Sequence, residues 1–320
     1  MKHMHGMRPF VVVALTTTTL CAGLLALAPA AGATGKTPVY VALGDSYSSG
    51  EGTGKGPAAV AYDPATNNST DQCHRSAKAY SQVETKIHSV PHIQTLFDAC
   101  SGAKIVNFET LGQYREQAQL IPLIRLKGSS TQDVQYVSLT VGGNDANFAG
   151  IIENCVVDHL KRFLLFHTFC HGKDSSGHSP NFAAIQASLT ALYSQVLTDA
   201  PDAQIYVLGY PKIFAATPYQ GTCDVWAADA VTLNSDAHIL DAAVQAAVAA
   251  ANVRAGTNRI TYVSVENAVS GHELCRQNMA GSYMNGFLFR AGTTPYYTES
   301  FHPNVAGQQM FANVLDNAVA

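Results

Sequence analysis

Four short runs rich in β-branched residues constrain this chain more than anything else in it: PVYVALG (38–44), VQYVSLTVGG (134–143), AQIYVLGY (203–210) and RITYVSV (259–265). Each is apolar at nearly every position rather than at alternate ones. That is the mark of a strand buried on both faces, and such strands belong to parallel sheets. Between them SAKAYSQVETKIHS (76–89), NFAAIQASLTALYSQVLTDA (181–200) and the alanine-rich stretch 225–256 place apolar residues at helical spacing, and AGQQMFANVLDNAVA (306–320) closes the chain the same way. Asp202 and Gly256 stand where two of these helices are expected to stop. Strands alternating with helices predict an α/β fold, a three-layer α/β/α sandwich around a mostly parallel, doubly wound sheet. Sites in such folds form outside the carboxyl ends of the strands. With 320 residues and no internal repeat, one domain over 34–320 is expected.

Ahead of that domain, Lys2 and Arg8 precede an apolar stretch, VVVALTTTTLCAGLLALA, which gives way to small residues around Ala31 and Ala33. This is the layout of a cleavable secretory signal over residues 1–33, and it predicts an extracellular protein. The alternative is an uncleaved anchor. Cys21 lacks the small residue just before it that lipoprotein processing needs. Only 13% of residues are charged and the net charge is −4, with no lysine or arginine cluster, so nucleic acid is excluded as an expected partner.

Six cysteines follow the signal: Cys73, Cys100, Cys155, Cys170, Cys223 and Cys275. An even number in an exported chain reads as disulfides, and six cysteines allow about 15 connectivities, of which sequential pairing is the simplest. A zinc site is the competing reading for Cys155, His159, His167, Cys170 and His171, which cluster in sequence. Thiolate ligands would have to stay reduced in an oxidising compartment, so no metal is expected.

At the carboxyl end of the first predicted strand stands Gly-Asp-Ser, residues 44–46. Alone it says little, since average residue usage produces that tripeptide in about one chain in ten of this length. Asp45 and Ser46 could simply cap a turn and a helix. Other strand ends add to it. Asn144 follows two glycines in TVGGND, Gly102 lies in ACSGAK beside Cys100, and His302 precedes the last helix in TESFHPN with Glu299 three residues before it. A long polar loop over 56–76 supplies a rim for a cleft.

In that order these segments resemble the block motifs of the SGNH (GDSL) hydrolase superfamily, from about Val39 to the C-terminus. The GDSYSSGEG form, the ACSGA turn and the six cysteines are most similar to its secreted actinobacterial lipases and esterases. The resemblance implies a carboxylic ester hydrolase needing no cofactor. Ser46 would be the nucleophile and His302 the general base. The oxyanion would be held by the backbone N–H of Ser46, that of Gly102 and the side-chain amide of Asn144. It also implies sequential disulfides, Cys73 with Cys100, Cys155 with Cys170 and Cys223 with Cys275. Glu299 departs from the family's aspartate. Either its carboxylate orients His302, or a backbone carbonyl of Glu299 or a neighbour does.

Lipid or other acyl esters are the expected substrates, with no stable partner and a monomer. The apolar FLLFHTF (163–169), with Phe163 and Phe166, is either a helix packed on the core or a wall for an acyl chain. A polysaccharide acetyl esterase is the alternative, with Tyr62, Tyr80, Trp226, Tyr296 and Tyr297 as stacking platforms. A silent binding protein on the same scaffold and a metal-dependent hydrolase complete the field.

Overall fold

The computed structural model describes residues 35–161, 169–289 and 297–319. The expected signal, Phe163, Phe166, His167 and Tyr296 lie outside these residues. Five strands, β1 (Thr37–Ala42), β2 (Gln94–Phe97), β3 (Gln132–Leu139), β4 (Gln204–Leu208) and β5 (Ile260–Val263), form one sheet in the order β2-β1-β3-β4-β5. Every neighbouring pair is parallel. The described helices are α1 (Ser46–Ser49), α2 (Tyr80–Val83), α3 (Ile105–Glu109), α4 (Ile121–Leu126), α5 (Phe148–Leu160), α6 (Phe182–Asp199), α7 (Ala227–Ala255) and α8 (Val305–Ala318).

Side-chain alternation along β1 divides the interior in two. Val39, Val41 and Leu43 point into a core with residues of α3, α4, α6 and α7, whereas Tyr40 and Ala42 point into a second core with α2, α5 and α8. The sheet is therefore covered on both faces, as its continuous apolar runs require. Each buried valine or leucine contributes about 1.5–3 kcal/mol, and a one-residue slip of β1 would exchange its two faces at once. From β1 the chain first adds β2 on one side, then crosses to β3 on the other. The crevice at that reversal, outside the carboxyl ends of β1 and β3, is where doubly wound sheets place ligands. Ser46 and Asn144 follow those two ends.

Three expectations need correction in detail. The strand β2 is absent from the sequence reading because QTLF is short, carries two polar residues and lies at an edge, partly exposed. The run 134–143 stops pairing at Leu139, because Thr140 turns to the segment after β1. Its N–H donates to Ser48 Oγ (3.0 Å) and its carbonyl accepts from the Asp45 N–H (3.0 Å). The helix expected over 76–89 shrinks to α2. Beyond Val83, Glu84 accepts the N–H of Ile87 (2.9 Å), and Asp316 of α8 takes the N–H groups of Thr85 (2.9 Å) and Lys86 (2.8 Å), so side chains replace the helical acceptors.

All six cysteines are joined in sequential pairs, with Cα separations of 4.1 Å for Cys73–Cys100, 4.9 Å for Cys155–Cys170 and 4.5 Å for Cys223–Cys275. The middle disulfide removes both thiolates on which the zinc reading rested. Buried Asp229, in the first turn of α7, accepts the N–H groups of Cys170 (3.2 Å) and His171 (3.0 Å), which fixes that segment. No described helix is long and apolar enough to cross a membrane.

Candidate active site

The turn carrying Ser46 is held by a buried polar lattice. Asp45 caps α1 by accepting the Tyr47 N–H (3.0 Å), and it also takes the hydroxyl of Thr140 (2.6 Å) and that of Tyr210. Tyr210 in turn accepts the N–H of Gly143 (3.1 Å), so one network joins the ends of β1, β3 and β4. Ser48 Oγ lies 3.0 Å from the Tyr80 hydroxyl and 2.8 Å from that of Thr140. Gln119 clamps Gly44 from the other side, accepting its N–H (2.7 Å) and donating to its carbonyl (2.9 Å). Burial pushes Asp45 up to about 6, against the hydrogen bonds from Thr140, Tyr210 and Tyr47 that favour its charged form.

Against this turn lies the segment bearing His302, whose Nε2 is 2.8 Å from Ser46 Oγ. Its Nδ1 is 3.0 Å from the carbonyl of Ser300. Glu299 does not fill that position. Its own carbonyl accepts from Asn285 Nδ2 (3.1 Å) and from the His302 backbone N–H (3.3 Å), and among the described residues its carboxylate makes no hydrogen bond to His302. Burial lowers His302 below the usual histidine range, outweighing the opposing influence of the Glu51 charge, the Ser300 backbone, the Glu299 charge and the Thr298 backbone. The ring is therefore neutral and able to accept a proton at neutral pH.

Two local features bring the histidine this close. Gly52 has φ +99°, and a Cβ there would fall 2.4 Å from the Pro303 carbonyl oxygen and 2.8 Å from His302 Cβ. Phe301 has φ +61°, a left-handed conformation that costs a non-glycine residue about 1–3 kcal/mol. Asn285 stabilises it. Its carbonyl accepts the Phe301 N–H (3.1 Å), its N–H donates to the His302 carbonyl (2.9 Å), and its side chain donates to the Gly52 carbonyl (2.8 Å).

Gly102 and Asn144 complete the constellation on one cavity of about 320 Å³, which Ser46, Gly102, Asn144 and His302 all line. Among the described residues the backbone N–H groups of Ser46 and Gly102 donate no hydrogen bond. Gly102 has φ +79° in the turn after the Cys73–Cys100 disulfide, and Asp145 fixes the following helix by accepting the Ile105 N–H (3.2 Å). Asn144 Nδ2 spends one proton on the Ala103 carbonyl (3.0 Å) and retains a second.

The rest of the cavity is mostly apolar, with Glu153 and Asn234 among its polar residues. Helix α5 supplies Ile152, Val156 and Leu160, facing Phe214, Leu233 and Phe289. Among the described residues the α5 part of this wall ends at Leu160, just before the FLLFHTF stretch, whose residues 163–168 lie outside the described residues. Of that stretch, Phe169 alone is described, and it packs on Trp226 with ring centroids 5.8 Å apart. The aromatics named as stacking platforms are engaged elsewhere. Tyr80 is fully buried, Tyr62 stacks on His74 (4.9 Å), Trp226 also packs on His159 (5.0 Å) and Tyr297 lies under Lys55 (4.3 Å). None of these four lines the cavity.

Asn285, Gln119, Tyr210 and Asp145 escaped the sequence reading. Asp145, adjacent to Asn144 in GGND, and Tyr210, at the end of the AQIYVLGY run, stood beside patterns that could have pointed to them; Asn285 and Gln119 lie in stretches with no pattern of their own.

Comparison with known proteins matches residues 42–310 to the GDSL-like Lipase/Acylhydrolase family. Lipase 1 of Streptomyces coelicolor is 29% identical over 310 residues, covering 94% of this chain and 96% of that protein. Among solved structures, the extracellular lipase of Streptomyces rimosus aligns with TM-score 0.58 at 28% identity, over 88% of this chain and all of that one. Phospholipase A1 from Streptomyces albidoflavus aligns with TM-score 0.58 at 27% identity, over 88% of this chain and 99% of that one.

Proposed function

Because the chain belongs to the GDSL-like lipase/acylhydrolase family and is a carboxylic ester hydrolase, we propose that Ser46 and His302 form its catalytic dyad and that lipid acyl esters are its substrates. The observation that carries this reading is the 2.8 Å contact between Ser46 Oγ and His302 Nε2 at the wall of an apolar cavity.

Ser46 Oγ attacks the ester carbonyl carbon while its proton passes to His302 Nε2. The Ser300 carbonyl accepts the Nδ1 proton and so leaves Nε2 as the basic nitrogen in the resting enzyme. Negative charge then develops on the carbonyl oxygen, to be met by the Ser46 and Gly102 N–H groups and the Asn144 amide. The tetrahedral intermediate collapses, and His302 returns the proton to the departing alcohol. Water, activated by the same imidazole, releases the acid from Ser46. Apolar side chains of α5 and Phe214, Leu233 and Phe289 take the acyl chain. Export is supported by the three disulfides and by the extracellular lipase among its relatives.

The test is hydrolysis of p-nitrophenyl esters from acetyl to palmitoyl, with Ser46→Ala as blank and Val156→Trp as a cavity-filling variant. The proposal predicts a Ser46-dependent preference for longer chains that Val156→Trp shifts toward short ones. A maximum at acetyl, unmoved by the tryptophan, would overturn the lipid assignment.

A further inference from the structure

Glu51, five residues beyond the nucleophile, has no part in the chemistry above, yet its side chain is wholly buried. Both its oxygens are occupied. Oε2 lies 2.6 Å from His74 Nδ1, and Oε1 accepts a 2.8 Å hydrogen bond from Thr298 Oγ1. Thr298 lies on the segment that carries His302 and lines the cavity, and His74 follows Cys73, whose disulfide partner precedes Ser101 and Gly102. One carboxylate therefore braces the nucleophile turn, the histidine segment and the Gly102 turn against each other.

A buried carboxylate is expensive unless paired; here His74 and Thr298 are its direct partners, and the adjoining Gly52 lies against His302, which brings the active-site ring within reach of its charge. Burial raises Glu51, but the His74 hydrogen bond and the charges of His302 and His74, helped by Ser101, bring it below the usual range, so it stays an anion. After burial, the Glu51 charge is the largest influence on His302, and it favours the protonated ring. The direct partner of Nδ1 is a neutral carbonyl, and the Glu299 charge acts on the ring less than that of Glu51. An imidazolium formed in a buried site needs a counter-charge, which a triad takes from its aspartate.

We propose that Glu51 is a positioning residue for ester hydrolysis, its buried carboxylate held by His74 and Thr298 so as to stabilise the His302 imidazolium that forms as Ser46 attacks. This rests on the Ser46–His302 dyad. The other groups in the neighbourhood are Asp71 beside His74, Tyr62 stacked on His74, Tyr114, and Glu299, which adds negative charge near His302. His74, whose hydrogen bond to Glu51 holds it above the usual histidine range against burial, partly offsets the Glu51 field when it is protonated.

The experiment is the pH profile of kcat/KM on p-nitrophenyl butyrate. Glu51→Gln removes the charge, lowers the affinity of His302 for its proton, and moves the acidic limb down by about one pH unit. Its kcat falls about tenfold with KM within about twofold, since the lost interaction belongs to the transition state. Glu51→Asp restores the limb. His74→Gln, which keeps a donor but deletes the cation, moves the limb up. A wild-type limb in Glu51→Gln, whatever the loss of rate, would reduce Glu51 to a structural brace and overturn the proposal. Should that variant not fold, His74→Gln decides, a limb unmoved or lowered being the contrary result. Ser46→Ala is run in parallel. Residual activity there overturns the dyad and the proposal with it, whereas an inactive Ser46→Ala beside an unmoved Glu51→Gln limb overturns the proposal alone.

Discussion

Replacing Glu299 by glutamine separates two ways of orienting a catalytic histidine. Where a carboxylate holds Nδ1, its amide replacement costs about 10⁴ in kcat, because the amide can stabilise the wrong tautomer. That is about 5.4 kcal/mol of barrier at 1.36 kcal/mol per tenfold. In this protein the Nδ1 partner is the Ser300 carbonyl at 3.0 Å, which the substitution leaves in place. What Glu299→Gln removes is a through-space charge effect on His302 that ranks behind those of Glu51 and of the Ser300 backbone. An effect of that kind is worth about 1 kcal/mol, or a fall of about fivefold in kcat. The assay is steady-state hydrolysis of p-nitrophenyl butyrate at pH 8, with a thermal melt to show that the fold survives. A loss of a thousandfold or more in a folded variant would refute the carbonyl assignment and return Glu299 to the place of the family's aspartate.

Asn144→Ala deletes one oxyanion donor and should lower kcat by about 10² to 10³ while the protein stays folded, measured with the same ester. Wild-type turnover would remove Asn144 from the site. Glu84, pushed up to about 7 mainly by burial, binds its proton more tightly folded than unfolded. Its contribution to stability is thus complete below pH 4.5 and lost as pH rises toward 7, so Glu84→Gln should raise Tm by a few degrees at pH 8 and leave it unchanged near pH 4. Equal shifts at both pH values would contradict this sign. Opening Cys73–Cys100 with the double alanine variant should reduce activity more than it disturbs the far-ultraviolet circular dichroism, because the bond pins the Gly102 turn. Coincident loss of both signals would show that the bond holds the whole domain.

The parts legible in the sequence are those with a side-chain pattern. Buried parallel strands advertise themselves as apolar runs, and β1, β3, β4 and β5 lie within two residues of the expected starts, whereas the edge strand β2 needs only one good face and left no such run. Gly102, Asn144 and His302 were visible as motifs and lie around the cavity with Ser46. The Ser300 carbonyl could not be read, because every residue has one and only the φ +61° turn at Phe301 aims the histidine ring at it. Asn285 was equally silent: its value lies in bridging Gly52 and the histidine segment, two parts of the chain more than 230 positions apart. Glu51 read as one acidic residue in a glycine-rich turn, and its importance appears only when folding buries it against His74 and Thr298. The helix over 76–89 shows the converse failure, a good local pattern overridden by Asp316 from the far end of the chain.

The most direct test of the dyad is covalent capture. The protein is treated with a long-chain fluorophosphonate, which transfers its phosphoryl group to an activated serine with loss of fluoride, and the modified peptide is located by mass spectrometry in wild type and in His302→Ala. A single adduct on Ser46 in the wild type, and almost none in the variant, is the predicted result. An adduct on another serine, or equal labelling of Ser46 without His302, would contradict it.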